Sequence, residues 1–175
     1  DHSPGRGLGL LVGKLDGEQL SIYIANDMSA NHLWRTRDEG SEFSLFDAAA
    51  ASGVAVDGRG LTQASMGMAV ADFDRDSDLD LFITGFAQEY NVLYRQESSG
   101  LWSDQSAAQR LVAPSLSFVG FGTQAIDLDR DGWMELFIAN GHIGDFGASS
   151  PPYAQQTQVF GRSRDGRFVP LETDG

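Results

Sequence analysis

The middle of this chain contains the segment GMAVADFDRDSDLDLFITG, residues 67–85. Two other segments align with it: GLLVGKLDGEQLSIYIAN, residues 9–26, and GTQAIDLDRDGWMELFIAN, residues 122–140. Their opening glycines, Gly9, Gly67 and Gly122, lie 58 and 55 residues apart. Self-similarity at a nearly fixed period is the signature of a repeat architecture, so we expect three copies of one structural unit.

The same landmarks follow each aligned segment in the same order. An apolar–aromatic pair comes first, then a glycine turn, then another aromatic residue. The pairs are Leu33-Trp34, Leu93-Tyr94 and Val159-Phe160, the glycines are Gly40, Gly100 and Gly166, and the later aromatic residues are Phe43, Trp102 and Phe168. Short apolar runs bounded by turn residues predict four strands in each repeat.

A repeat of four strands predicts an all-β fold made of β-propeller blades, because each small sheet must bury its faces against its neighbours. We expect three blades, at residues 7–58, 59–117 and 118–175. Closed propellers usually have four to eight blades, so we expect a piece of a larger, six- to eight-bladed propeller. Such a piece is predicted to self-associate through its open blade faces.

The third repeat carries an insertion at residues 141–154, GHIGDFGASSPPYA. Its Gly, Ser and Pro content predicts a surface loop. Loops on a rigid scaffold often bind partners, but a solvated excursion without a partner is equally favoured.

The bulk composition excludes several classes of function. A net charge of −13 repels phosphate backbones, so no nucleic-acid partner is expected. No apolar run approaches the roughly 20 residues that a membrane helix needs, so no membrane insertion is expected. Without cysteines, stability must come from packing, backbone pairing or a metal held by oxygen ligands.

Carboxylates alternate along the loop between the first two strands of the second and third repeats. Numbered from the first acid of each loop, they occupy odd positions: Asp72, Asp74, Asp76, Asp78 and Asp80, and then Asp127, Asp129, Asp131 and Glu135. Such crowding is repulsive unless a hard cation binds the oxygens. Two calcium ions per chain are therefore predicted.

The remaining loop positions have expected roles as well. Position 7, which is Asp78 or Trp133, is expected to offer its backbone carbonyl to the ion. The apolar residues between the acids are expected to turn inward; they are Phe73, Leu79, Leu128, Trp133 and Met134. An EF-hand is excluded, because position 12 is an isoleucine and the flanks are strand-like. A solvated acidic turn that binds nothing is the less favoured alternative.

The corresponding loop of the first repeat, Lys14–Ser21, departs from this pattern. It is one residue shorter, begins with a cation and lacks the last acid. We expect this loop to be metal-free.

These segments resemble the FG-GAP (integrin α-like, VCBS) repeats, and in particular the ASPIC/UnbV group that includes cartilage acidic protein. The resemblance rests on SMGMAVADFDRDSDLDLFITGF, NVLYR, GFGTQAIDLDRDGWMELFIANGHI and DGRFVPL. It implies a propeller with calcium in the loops at positions 1, 3, 5, 7 and 9, and a secreted, cell-surface or periplasmic role in adhesion or other interactions. Ser77 stands where the family usually has glycine, which strains the turn or is tolerated at modest cost.

Other chemistry finds less support. His2, His32 and His142 are scattered, so we expect surface or loop residues, and no serine has a paired base. The run Gly5–Gly9 is expected to shape a turn that opens a strand. The repeated aromatics Trp34, Tyr94, Trp102 and Phe160 are expected to pack blade against blade. We therefore expect no enzyme; the alternative is a lectin-like or enzyme site formed only in the full propeller.

Overall fold

The computed structural model describes residues 4–39, 42–147 and 150–172. The first sheet contains β1 (Gly7–Gly13), β2 (Ser21–Asn26), β3 (His32–Glu39) and β4 (Glu42–Asp47). The second contains β5 (Met68–Ala71), β6 (Asp80–Ile83), β7 (Val92–Ser98) and β8 (Leu101–Asp104). The third contains β9 (Gly120–Ile126), β10 (Glu135–Asn140), β11 (Gln158–Arg162) and β12 (Phe168–Leu171).

All three sheets are antiparallel, and their strands follow one another along the chain. The one helix that these residues form, α1 (Val112–Ser115), precedes the third sheet. This architecture confirms the predicted fold class, with one four-stranded blade for each repeat. The expected limits of the repeats stay a prediction. No helix in the described ranges is long and apolar enough to cross a membrane.

The predicted glycine turns join the outer two strands of each blade. Gly100 separates β7 from β8 with φ 75°, and Gly166 separates β11 from β12 with φ 76°. A positive φ at these sites suits a residue without a Cβ. Gly40, predicted for the same turn of the first blade, lies outside the described residues.

Strand β6 shows why the middle blade is apolar on both sides. All four of its residues are buried, and alternate side chains point to opposite faces of the sheet. Leu81 and Ile83 pack toward the first blade, while Phe82 packs toward the third. Two hydrophobic clusters therefore hold the blades together: the first junction, between blades one and two, and the second junction, between blades two and three.

The equivalent aromatic residues of the third strands meet these junctions, as predicted. Tyr94 lies in the first junction together with Trp102, and Phe160 lies in the second. The Tyr94 hydroxyl donates to the carbonyl oxygen of Val56 at 2.8 Å, which satisfies the polar end of a buried ring. Trp34 differs, because it lies on the face of blade one that points away from blade two, where it stacks on His32 at 5.6 Å.

The repeated glycines mark the close approach of the innermost strands. A Cβ on Gly9 would collide with the carbonyl oxygen of Met66, and one on Gly67 with that of Phe121. Gly122 occupies the same position in blade three and has open space around it. The glycine is thus a packing requirement wherever a following blade is present.

The two outward faces of the three-blade unit are apolar. On β1, Leu8, Leu10 and Val12 are 54–67% exposed. On the other side, Leu128 is 64% exposed, so the prediction that it turns inward is wrong. Phe73 fills the same loop position in blade two and is buried against Phe168 of blade three, whereas the described residues contain no further blade to cover Leu128. Self-association through these faces stays a prediction.

The insertion forms a loop closed by a bridge between Gly141 and Ala154. His142 lies in this loop, which is one of the two positions expected for it, but it is only 8% exposed and lies between the rings of Phe86 and Phe146. His32 lies within strand β3, and its side chain is 14% exposed. His2 lies outside the described residues.

Candidate metal centre

The acidic loops connect the first two strands of blades two and three. We call residues 72–80 the second loop, residues 127–135 the third loop and residues Lys14–Ser21 the first loop. The two acidic loops share a backbone shape: Arg75 and Arg130 have φ 69° and 65°, and Ser77 and Gly132 have φ 76° and 87°. Ser77 therefore adopts the left-handed conformation that its glycine counterpart adopts freely.

The first acid of each loop organises the turn in the same way. Asp72 accepts a hydrogen bond from the backbone N–H of Ser77 at 2.9 Å, and Asp127 accepts one from Gly132 at 3.0 Å. Asp72 also accepts from the N–H groups of Arg75 and Asp76. The sequence repeat thus corresponds to a repeated hydrogen-bond pattern.

The last acid of each loop closes it from the other side. Asp80 accepts from the backbone N–H of Phe73 at 3.0 Å, and Glu135 accepts from the equivalent N–H of Leu128 at 2.8 Å. The longer arm of Glu135 therefore makes the same contact as the aspartate. Both side chains are buried, Asp80 completely.

Each acidic loop brings three carboxylates together. One triad is Asp72, Asp74 and Asp80, and the other is Asp127, Asp129 and Glu135. Within each triad, one oxygen from each residue lies within 4.8 Å of the others. Such a group could hold a metal ion.

The predicted ligands at positions 5 and 7 lie outside these triads. Asp76 accepts a hydrogen bond from the backbone N–H of Asp78 at 2.9 Å, and Asp131 accepts one from Trp133 at 2.8 Å. Their side chains therefore brace the loop. The carbonyl oxygens of Asp78 and Trp133 stay predicted ligands.

Two observations show that the triads suit a cation. Asp74 and Asp127 each bury one carboxylate oxygen, Oδ1, to which no donor among the described residues is hydrogen-bonded. Burial, together with the negative charges of Asp76 and Asp72, raises the pKa of Asp80 to about 6 against the hydrogen bonds it accepts. A bound cation would relieve both penalties, since it supplies the missing partner and balances the charge.

The first loop is built differently. Its aspartate, Asp16, accepts hydrogen bonds from the N–H groups of Glu18 and Gln19 and pairs with Arg35 at 3.1 Å. An arginine of the same blade thus neutralises the only aspartate of this loop. Its expected lack of metal stays a prediction.

At each junction, a side chain of the later blade donates a hydrogen bond to the loop of the preceding blade. The sequence analysis did not predict these two contacts. Gln96 of β7 donates to the carbonyl oxygen of Leu15 in the first loop at 3.2 Å. Arg162 of β11 donates to the carbonyl oxygen of Phe73 in the second loop at 2.8 Å. Gln96 and Arg162 each lie two residues after the aromatic residue of the apolar–aromatic pair, which is Tyr94 or Phe160. An alignment of the repeats position by position therefore places the two bridging residues at the same position.

Arg162 also packs among aromatic rings of the second loop, the third loop and β12. Its guanidinium lies 3.5 Å from the ring centre of Phe168 and 5.5 Å from that of Trp133. Arg75 of the second loop faces Trp133 as well, at 5.0 Å. Burial, together with the nearby charge of Arg95, lowers the pKa of Arg162 to about 10. Arg162 remains charged at neutral pH.

Fold and loops together define a repeat protein with blades of the propeller type and a metal-compatible acidic triad in two of them. A family model described as an FG-GAP-like repeat matches residues 72–138, from the first acid of the second loop to β10. The chain therefore contains an FG-GAP-like repeat that spans both triads. A search of curated protein sequences finds no match to the chain. Membership of the ASPIC/UnbV group stays a prediction.

Proposed function

We propose that this protein is a calcium-binding β-propeller scaffold for adhesion or other protein interactions outside the cell or at its surface. The observation that carries the proposal is the pair of matched triads, each with a buried carboxylate oxygen that lacks a hydrogen-bond donor. Asp72, Asp74 and Asp80 would hold one ion, and Asp127, Asp129 and Glu135 the other. Asp76, Asp131 and the carbonyls of Asp78 and Trp133 would complete the sites.

Calcium is favoured over magnesium by the chemistry of the donors. Calcium takes six to eight oxygen ligands in variable geometry, and loops that mix carboxylates with carbonyls supply that number. Magnesium demands a near-ideal octahedron and keeps several waters. The bound ion would fix the carboxylates of each loop at the edge of the blade, so the scaffold would become more rigid.

Calorimetric titration with calcium is the direct test, with magnesium as the comparison ion. We expect two calcium ions per chain and a stability gain by linkage of about 2.7 kcal/mol per site at a hundredfold excess over Kd. Asp74→Ala should weaken the second-loop site alone, and Asp129→Ala the third-loop site alone. No calcium uptake, or equal calcium-dependent melting shifts in both variants and the parent, would contradict the proposal.

The interaction role is tested separately from calcium binding. The proposal assigns no catalytic step to this chain, and the extracellular location follows from the resemblance to FG-GAP repeat proteins. A glycan array and a hydrolase panel on the longest available form of the protein would separate the scaffold from a carbohydrate-binding or enzymatic role. Specific turnover would overturn the scaffold.

A further inference from the structure

The third strand of each blade presents an equivalent residue directly after its aromatic partner: Arg35 in β3, Arg95 in β7 and Gly161 in β11. Arg35 forms an ion pair with Asp16, at position 3 of the first loop. Arg95 forms the equivalent ion pair with Asp74, at position 3 of the second loop. The two arginines thus repeat one contact in two blades.

Both ion pairs are partly shielded from water. The side chains of Arg35 and Asp16 are 15% and 9% exposed, and those of Arg95 and Asp74 are 27% and 19% exposed. Partial burial reduces screening, so these charges interact more strongly than a surface pair would. A cation that approaches Asp74 meets this competing positive charge.

Blade three lacks the competitor. Gly161 has no side chain, and none of the ion pairs among the described residues involves Asp129, the acid at position 3 of the third loop. The cation that pairs with the acid at position 3 is therefore Arg35 in the first blade and Arg95 in the second, and the third blade has no equivalent.

We propose that Arg95 is an internal counter-ion that makes the two calcium sites unequal, an inference that rests on the proposed function. The third-loop site fills first. The second-loop site fills at higher calcium concentration, because the incoming ion must displace the Arg95 guanidinium from the Asp74 carboxylate. The protein thus takes up calcium in two separated steps.

The test is calcium titration calorimetry on the whole chain and on Arg95→Gln. For the parent we expect a tighter and a weaker site; Asp74→Ala should lower the calcium affinity of the weaker site alone, and Asp129→Ala that of the tighter site alone. In Arg95→Gln the weaker site should tighten about tenfold, since a unit charge next to the ion is gone. The tighter site should stay unchanged.

Two variants control for charge and folding. Arg35→Gln removes the same charge and the equivalent ion pair from the first blade, and it should leave both affinities within about twofold. Arg95→Lys keeps the charge, and its weaker site should stay weak. Circular dichroism checks that each variant folds.

The outcomes separate this inference from the proposed function. If the parent takes up no calcium, both fall. If the parent binds two ions but Arg95→Gln weakens the second-loop site, then Arg95 orients Asp74 for the metal and the counter-ion role is overturned. Equal affinities at the two parental sites would overturn it as well.

Discussion

The first junction places the neutral Gln96 where the second junction places Arg162. Both side chains donate to the equivalent backbone carbonyl of the preceding loop, which is that of Leu15 at the first junction and that of Phe73 at the second. The first loop has its only aspartate neutralised by Arg35, so an amide is sufficient there. The second junction lies between two acidic triads, and there the bridging side chain is a cation in spite of the burial that lowers its pKa. The two junctions therefore share a geometry. The charge of the bridging side chain differs between them, and it matches the charge of the loops at each junction.

The largest expected effect tests the shared geometry. Tyr94→Ala and Phe160→Ala remove equivalent buried rings from the two junctions, and each should lower the free energy of unfolding by about 3–5 kcal/mol. Urea unfolding measures both. Phe43→Ala is the control, because Phe43 is 80% exposed and its loss should cost less than about 0.5 kcal/mol. If one of the two variants lost much less stability than this, the ring at that junction would not be what stabilises the contact between its two blades.

The second prediction tests the difference in charge. Arg162→Gln keeps an amide that can donate to Phe73 but loses the bond to Gly166 and the ring contacts. We expect a loss of about 2 kcal/mol without calcium, and a smaller loss with calcium because the ions supply positive charge nearby. Unfolding in calcium and in chelator measures the change.

Gln96→Ala is the matched control at the first junction, and its cost should not depend on calcium. An Arg162→Gln effect of equal size in calcium and in chelator would show that the bridging charge is unrelated to the triads.

The third prediction concerns pH and an acid at the edge of the first junction. Burial would raise the pKa of Asp47, but hydrogen bonds from His32, Ala49 and Leu33 lower it below the usual value. A lowered folded-state pKa gives stability that is present above the unfolded pKa of about 3.9 and is lost as pH falls through the folded value. Asp47→Asn should therefore cost about 1–2 kcal/mol at neutral pH and progressively less below about pH 4.

Chelator-treated protein unfolded across pH 2–7 is the sample for this measurement. The comparison variant is Asp104→Asn, which makes the same change at the equivalent residue of blade two; the unfolding free energies of the two variants are compared at each pH. A cost of Asp47→Asn that stays constant across the pH range would rule out the assigned hydrogen bonds.

The smallest expected effect compares the two acidic loops. Ser77 and Gly132 occupy the same left-handed position. Ser77→Gly should stabilise the protein by up to about 1 kcal/mol, and Gly132→Ser should destabilise it by a similar amount. Thermal unfolding in chelator measures both, and a destabilised Ser77→Gly would show that the serine side chain makes a compensating contact.

Much of the fold could be predicted from the sequence, because its signals are local. The spacing of Gly9, Gly67 and Gly122 and the alternating acids located the strands and the loops. The exposure of Leu128 and the burial of His142 could not be predicted, because burial depends on which blade or loop covers a residue. The bond from Arg162 to Phe73 joins residues 89 positions apart. Only the alignment of repeats, in which Arg162 matches Gln96, points to such a contact.

Because the strands of each sheet follow one another along the chain, most pairings close a short stretch of backbone, and the longest such stretch is the connection between β10 and β11 that carries the insertion. The entropy lost on closing such stretches is small, so each sheet can form largely from its own sequence. Cooperativity between sheets then comes from nearest-neighbour contact, as in other stacked arrays. Strand β6 has both faces buried in these contacts. Its amide hydrogens should be the slowest to exchange with solvent, and the terminal sheets should open first.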